Sequence, residues 1–532
     1  MPDGFAELHC HSNFSFLDGA SSVDDLAERA VELGLTALAL TDHQGLYGAV
    51  RFATAAKDVS LRPIVGMEIE LRDAIAPDQQ GLIVPRRRRK RGDRAEAGLS
   101  AALPMSPQDL IDGRAVRPAI ERLRPPGHRE PRREDMRGVR SRELGPHLVL
   151  IARDMSGYRS LCRLASNAHL AGTKGAPRFT HKLLAENIEG LVALSGCRHG
   201  EVARRLLAGD RRGAAQAARA LALMFGNEAF FLELQHHLLS DDDWLVTETV
   251  RLATDVGLPM VVTNDAHYAH PAGRELQDVL VCIRHGKPLE ESAHLRRPNG
   301  EYYLKSLAEL EALPVATGAL GKEVTRAWSE GLRTAGELAE RCSVDFDFEQ
   351  YRFPGFPVPV EETAFSYLET LSHEGMRRRY HPLQPQVVKQ LAHELEVIER
   401  TGLAEFFLIC WDIMRFCRDR GIPAQGRGSA GDSIVAYVLG ITRVDPIRHR
   451  LLFERFINEG RTTYPDVDID FASSRREEVI QYCYERYGAE HTGMVCNLVT
   501  YRARSAVREV GYALGFPRPL VDRVAKALET YD

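Results

Sequence analysis

The sequence predicts an α/β protein: an amino-terminal (β/α) barrel, then a smaller α+β region, then a short helical piece. Two observations predict it. Through the first half, short apolar runs that end in acidic, imidazole or thiolate residues alternate with helical patterns. Near the carboxyl terminus, a strand of alternating carboxylates follows a glycine-rich turn. Alternating strand and helix favours a parallel barrel, whose chemistry gathers where the strands end.

Taken in order, Leu8-His9-Cys10-His11 puts two imidazoles on one side of a strand, and Asp18 follows in a loop. The apolar run 37–40 ends in Thr41-Asp42-His43, and the run 64–69 carries Glu68. His147 opens Leu148-Val149-Leu150-Ile151, the run 191–194 ends at Ser195-Gly196-Cys197, and Met260-Val261-Val262 ends at Asn264-Asp265-Ala266-His267. Helical patterns at 23–33 and 161–168 lie between them. One histidine after a strand is more often a packed or capping residue; donors closing so many successive strands are harder to explain that way. Imidazole, carboxylate and thiolate suit zinc, manganese or iron, and carboxylates bridge neighbouring ions. Clustered ions polarise a phosphodiester and generate hydroxide.

The stretch 73–145 interrupts this pattern with Arg86-Arg87-Arg88-Arg89-Lys90-Arg91, Pro125-Pro126-Gly127 and little periodic apolar content. Such a segment buries too little surface to offset its ordering entropy. Like-charge runs are usually solvated, which favours a solvated insertion over an arm on DNA phosphates. From 279 to about 350 the pattern is helical, and Phe353-Pro354-Gly355-Phe356-Pro357-Val358-Pro359 is an extended connector. Helical patterns return at 363–379, 387–401, 475–487 and 504–514. Arg502, Arg504 and Arg508 suit phosphate contacts and a solvated helix face equally.

In Tyr464-Pro465-Asp466-Val467-Asp468-Ile469-Asp470-Phe471, strand geometry turns the three aspartates to one face, about 7 Å apart. They repel one another, and a divalent cation removes the conflict. A merely solubilising face is disfavoured because Asp is poorly suited to strands. An EF-hand loop needs Gly at its sixth position, where this chain has Phe471. Upstream, Gly426-Arg427-Gly428-Ser429-Ala430-Gly431-Asp432-Ser433 leads into the apolar run 434–439, a glycine-rich turn opening a buried helix. Backbone amides there approach a phosphate, the helix N-terminus favours its charge, and Arg427 pairs with it. Turn and strand together suggest nucleotidyl transfer, with metal ions on Asp466 and Asp468 and a triphosphate on Gly426, Arg427, Gly428 and Ser429.

The segments Gln425 to Ser433, Leu451-Leu452-Phe453-Glu454-Arg455-Phe456, Pro465 to Phe471 and Arg475-Arg476-Glu477-Glu478-Val479-Ile480 resemble the palm of bacterial C-family DNA polymerases, the polymerase III alpha-subunit family. The resemblance covers nearly the whole chain outside the insertion. It implies a nucleotidyltransferase-like palm in which Asp466 and Asp468 hold Mg2+, with Asp470 as a third catalytic member. The first half resembles the PHP (polymerase and histidinol phosphatase) domain that begins these polymerases. The family's nine metal positions are then His9, His11, Asp18, His43, Glu68, His147, Cys197, Asp265 and His267. That set implies Zn2+ or Mn2+ and is compatible with 3′ to 5′ exonuclease activity. The implied layout is a PHP domain at 1–290, a helical connector at 291–360, a palm at 361–497 and the start of a thumb at 498–532.

The opening from Phe5 to Ser21 is most similar to the error-prone branch, which implies translesion synthesis and damage-induced mutagenesis on a DNA primer-template with deoxynucleoside triphosphates. A sliding clamp and accessory mutagenesis proteins are implied as partners through regions that the family carries beyond Asp532. A further catalytic aspartate and the fingers also lie there in the family, so the chain ending at Asp532 is expected to extend primers poorly. A stand-alone PHP phosphoesterase and a non-catalytic DNA-binding fragment are the alternatives. Asp432 departs from the family's turn; it repels a triphosphate unless it points away, binds metal or stabilises the following helix.

Composition fits a multidomain enzyme: 532 residues suggest about three domains. The formal charge of −5 gives no overall basic signal for nucleic acid, so any binding surface is local. Nine cysteines without a Cys-x-x-Cys pair argue against a disulfide scaffold or zinc ribbon. No signal segment and no membrane-length apolar run is present, which makes the cytoplasm the expected location.

Overall fold

The computed structural model describes residues 4–73, 145–318, 320–346, 355–457, 465–489, 491–495 and 497–528. The arginine run Arg86 to Arg91 and nearly all of the 73–145 insertion lie outside the described residues. The chain divides into two compact units, Met1–Phe346 with Thr500–Asp532, and Asp347–Val499.

The first unit is built on seven strands that are neighbours in chain order: β1 (Ala6–Glu7), β2 (Ala37–Leu40), β3 (Arg62–Glu70), β4 (His147–Ala152), β5 (Leu191–Leu194), β6 (Phe230–Leu234) and β7 (Met260–Val262). β2, β5 and β6 are buried along their full length, as continuous apolar runs between two packed layers must be. The sequence predicts a wholly parallel barrel. The observed sheet is mixed, because β4 runs antiparallel to both β3 and β5 while the other neighbours are parallel. This reversal explains why His147 opens a strand instead of ending one: the start of an antiparallel strand lies at the same rim as the ends of its neighbours. The rim is joined across the first and last strands by a parallel bridge between Cys10 and Ala266.

Helices cover the sheet. Val23–Glu32 starts at Ser22, whose hydroxyl accepts the Asp25 amide while the Asp25 carboxylate accepts the Ser22 amide, a capping box. Lys322–Glu340 packs its buried face against β7, and its Trp328 indole donates to the Leu310 carbonyl at 3.0 Å. Residues 307–340, expected from sequence to be a connector, thus cluster with the first unit. So do the helices Ala503–Ala513 and Arg518–Ala527, expected to begin a thumb, which pair with each other and rest on Gly273–His285. Arg504 there donates to the Leu528 carbonyl, and Arg508 pairs with Asp522 at 2.9 Å. Those two guanidiniums are engaged within the helix pair, a role that neither expectation named.

The second unit packs helices Ala364–Arg379, Pro385–Thr401, Ala404–Asp419, Ile434–Leu439 and Arg476–Tyr487 around Leu391, Phe407, Leu408, Ile434 and Phe453. A two-stranded antiparallel ribbon, β8 (Ala424–Arg427) and β9 (Asp468–Phe471), lies on this core. The buried Asp412 carboxylate accepts from Tyr482 at 2.6 Å, Tyr487 at 2.9 Å and Arg415 at 2.6 Å, fastening the helix Arg476–Tyr487 to Ala404–Asp419. Among the described residues no helix is long and apolar enough to cross a membrane.

Candidate metal centre and acidic strand

Strand ends and the start of β4 bring all nine predicted donors of the first unit to one place. Glu68, on β3, is the hub: its carboxylate meets His43 Nδ1 at 2.7 Å, His147 Nδ1 at 2.8 Å, His9 Nε2 at 3.5 Å and Cys197 Sγ at 3.8 Å. Asp265 Oδ1 stands 3.4 Å from both His9 Nε2 and His11 Nε2. Asp18 joins from its loop, 3.0 Å from His43 Nε2 and 3.8 Å from His267 Nε2.

Every side chain in the hub is buried or nearly so, which sets the electrostatics. Burial works against the charge on Glu68, yet His147, His43 and His9 outweigh it and hold the carboxyl well below the usual carboxylate range. Asp265 is likewise held low, with Arg297, His267 and His9 overcoming burial. Burial disfavours the imidazolium of His43, but Asp18 and Glu68 raise it to about 9. His11 is pushed down by burial and by the neighbouring His43. Burial, then Glu68 and Asp265, pushes the Cys197 thiol far up, so thiolate formation there needs a cation.

The donors fit metal ions on an observation independent of their identity. His9 Nδ1 is fixed by Glu233 at 2.7 Å, and His11 Nδ1 by the Ser15 hydroxyl at 3.0 Å, which in turn donates to Asp42 at 2.7 Å. Both imidazoles are therefore oriented by outer partners, and their Nε2 atoms are buried with no hydrogen-bond partner. Among the described residues three donor groups result: His9, His11 and Asp265; His11, His43 and His267; Glu68, His147 and Cys197. The first unit carries a metal-binding centre.

Sequence reasoning missed Glu233, Ser15, Asp42 and Arg297. For Glu233 a signal existed, an acid inside the apolar run Phe230–Leu234, which becomes β6. Arg297 comes from a polar loop and reaches Asp265 Oδ2 at 3.3 Å and His267 Nε2.

In the second unit, β8 pairs with β9 in a register that sets Arg427 opposite Asp468 and Gln425 opposite Asp470. Asp466, Asp468 and Asp470 are exposed, while Val467, Ile469 and Phe471 pack on the core. Asp466 lies just before the strand. Arg427 Nε is 3.1 Å from Asp470, and its Nη2 is 3.9 Å from Asp468. Gly426 passes so close to Ile441 that an added Cβ would stand 2.7 Å from its carbonyl oxygen, and Gly428 adopts a φ of +72° to start the turn, leaving open space beside it.

One expectation is corrected here. The N-terminus of helix Ile434–Leu439, read from sequence as a phosphate seat, already holds a carboxylate. Buried Glu394 accepts the Ser433 hydroxyl at 2.7 Å and the amides of Ile434 at 3.0 Å and Val435 at 3.2 Å. The positive helix end is satisfied internally, and Glu394 leaves Arg427, Gly428 and Ser429 of this turn unengaged by its carboxylate. Asp432 is not the residue that stabilises that helix start; it is nearly buried, with Arg455 Nε 3.8 Å away.

Two family models match the chain: the PHP domain over residues 7–237 and the bacterial DNA polymerase III alpha NTPase domain over residues 366–531. Similar proteins include error-prone DNA polymerases from Mycobacterium tuberculosis, 38% identical over 96% of this chain and 40% of that protein, and from Nocardia farcinica, 39% identical over 96% and 42%. A DNA polymerase III subunit alpha from Treponema pallidum is 33% identical over 98% of this chain and 39% of its own. The chain thus spans about two-fifths of the length of these relatives. The resemblance drawn from the motifs is borne out in both halves.

Proposed function

We propose, from the premise that the chain carries the PHP and polymerase III alpha domains, that its second unit is the palm of an error-prone DNA polymerase acting in translesion synthesis and damage-induced mutagenesis. The observation that carries this reading is the β8/β9 ribbon, which sets Asp468 and Asp470 on an open face beside Arg427 and the turn at Gly428. In this reading Asp466 and Asp468 hold Mg2+, which when bound lowers the pKa of a primer 3′ hydroxyl and neutralises the leaving phosphates. Asp470 orients Arg427, which pairs with the incoming triphosphate, while Gly426 keeps the ribbon close to the core and Gly428 and Ser429 offer the turn's backbone and hydroxyl. DNA primer-template and deoxynucleoside triphosphates are the substrates, the cytoplasm is the location, and a sliding clamp and accessory mutagenesis proteins are partners of the larger enzyme.

A second activity is favoured by the complete donor set at the first unit: metal-dependent hydrolysis of a phosphodiester, in the 3′ to 5′ exonuclease sense, with Zn2+ or Mn2+. There His9, His11 and Asp265 would hold an ion that supplies a hydroxide nucleophile, and Glu233 and Ser15 keep the two imidazoles aimed.

Titration calorimetry with a deoxynucleoside triphosphate in Mg2+ tests the palm. Binding is expected to weaken at least roughly tenfold in Asp466→Ala and Asp468→Ala, as loss of a charged metal partner does; unchanged binding removes these residues from the site. Incubation with labelled primer-template separates the readings further: extension supports polymerase, shortening with Mn2+ or Zn2+ supports the nuclease, and a mobility shift without product supports a binding fragment.

A further inference from the structure

We propose that Arg297 is a built-in competitor for one of the cations of the metal centre, so that the His11, His43 and His267 donor group fills last and most weakly. The inference rests on the metal-binding reading of that centre and adds an order of occupancy to it.

The hydrogen bonds of His267 carry the case. Its Nδ1–H donates to the Asp265 carbonyl at 2.9 Å, which leaves Nε2 as the lone pair available for an ion. The Arg297 Nη2–H donates into that lone pair, and Nη1 reaches Asp265 Oδ2 at 3.3 Å. The guanidinium is held over the Tyr302 ring at 4.4 Å, and that ring stacks on His237 at 4.0 Å. An arginine stays charged at every accessible pH. An ion entering this group must therefore displace a donor from His267 and settle beside a fixed positive charge.

The other two groups differ. His9 Nε2 and His11 Nε2 have no hydrogen bond to displace, and the carboxylate oxygen of Asp265 they face is Oδ1, not the Oδ2 that Arg297 touches. In the group of Glu68, His147 and Cys197, the donors contact one another and neighbouring imidazoles, and among the described residues no guanidinium is seen hydrogen-bonded to them. His43 gives both nitrogens to carboxylates, Asp18 and Glu68, which an ion also has to rearrange. One group presents imidazole nitrogens without hydrogen bonds, a second is bonded only among the centre's own donors, and the third alone is guarded by a guanidinium.

Equilibrium dialysis of the chelator-stripped whole chain against Mn2+, with metal analysis, reads the order directly. The wild type is expected to show tighter classes and one weak class that fills last. Arg297→Gln, nearly the same length without the charge, should raise the affinity of the weak class about tenfold, within the range that outer partners of metal sites command. Arg297→Lys, which keeps the charge, should stay within about threefold of wild type by the same yardstick. Identical binding curves for wild type and Arg297→Gln overturn the inference while leaving the centre intact. A single class of equal sites in the wild type overturns it as well, whatever the variants do. No bound Mn2+ in any protein overturns the centre itself and the inference with it.

Discussion

Glu68 and Asp265 lie 2% and 3% exposed among imidazoles contributed by separate strand ends, whereas the side chains of Asp468 and Asp470 stand 59% and 65% exposed with one guanidinium beside them. Both regions crowd carboxylates together. In the first, protein cations already compensate the charge: the hub is saturated by histidines, and Arg297 covers His267 and Asp265. In the second, solvent does most of that work, and among the described residues only Arg427 spans the two acids. A buried centre has to be assembled and neutralised as the chain folds, because an unpaired buried charge is prohibitively costly. An exposed strand tolerates its charges in water and can wait for a substrate to bring its counter-ions. The difference teaches where each region keeps its specificity: the centre in its fixed shell, the strand in what binds to it.

The sharpest way to break this contrast is Glu68→Ala. One carboxylate joins five of the other predicted donors, so its loss should lower Zn2+ or Mn2+ affinity by more than the roughly 10–100-fold that loss of an outer partner costs. Metal content after gel filtration measures it. Wild-type content in the variant would mean that the shell is not organised around Glu68.

A smaller effect concerns pH. In the metal-free protein His43 is raised to about 9 from an ordinary 6.5, so its stabilising contribution is full below about 6.5 and disappears as pH rises through 9. Burial raises Glu7 to about 8, which acts in the same direction over a lower range. The thermal midpoint of chelator-treated protein should thus fall between pH 6.5 and 9, with His43 contributing on the order of 3 kcal/mol at most. Metal-loaded protein should lose the His43 share of the fall and keep that of Glu7, which is not a donor, since deprotonated ligands bind ions better. A flat profile without metal would show that the imidazolium is not the stand-in cation.

Much of both regions was legible because strands and caps are local. β2, β5, β7 and the helix Ile434–Leu439 follow from unbroken apolar runs, and His43, Cys197, Asp265 and His267 sit just past the ends of three of them. The direction of β4 was not legible, since the chain between β3 and β4 carries no periodic pattern to fix its crossover. Nor was Glu394, which reaches its helix start from 40 residues away and in sequence is one more polar position on an amphipathic helix. Arg297 follows another arginine and precedes a proline, the signature of any solvated loop, and only the closure of the rim brings it to His267.

The smallest expected effect is the one that most sharpens the contrast. If the acidic strand is held by the core and not by its ion pairs, Arg427→Ala should change stability by no more than about 0.5 kcal/mol, the usual worth of an exposed pair. Val467, Ile469 and Phe471 still pack on the core in that variant, and the ladder from Ala424 to Arg427 against β9 needs no side chain of residue 427. On the proposed function, triphosphate binding should fall nonetheless, because the guanidinium paired with Asp468 and Asp470 is gone. Urea unfolding and calorimetric titration on the same preparation read the two quantities apart. A loss of about 2 kcal/mol or more, the scale of breaking a buried hydrogen-bonded charge pair, would show that the strand's geometry depends on Arg427. The acidic strand would then be preassembled like the metal centre, and its openness to solvent would carry no functional meaning.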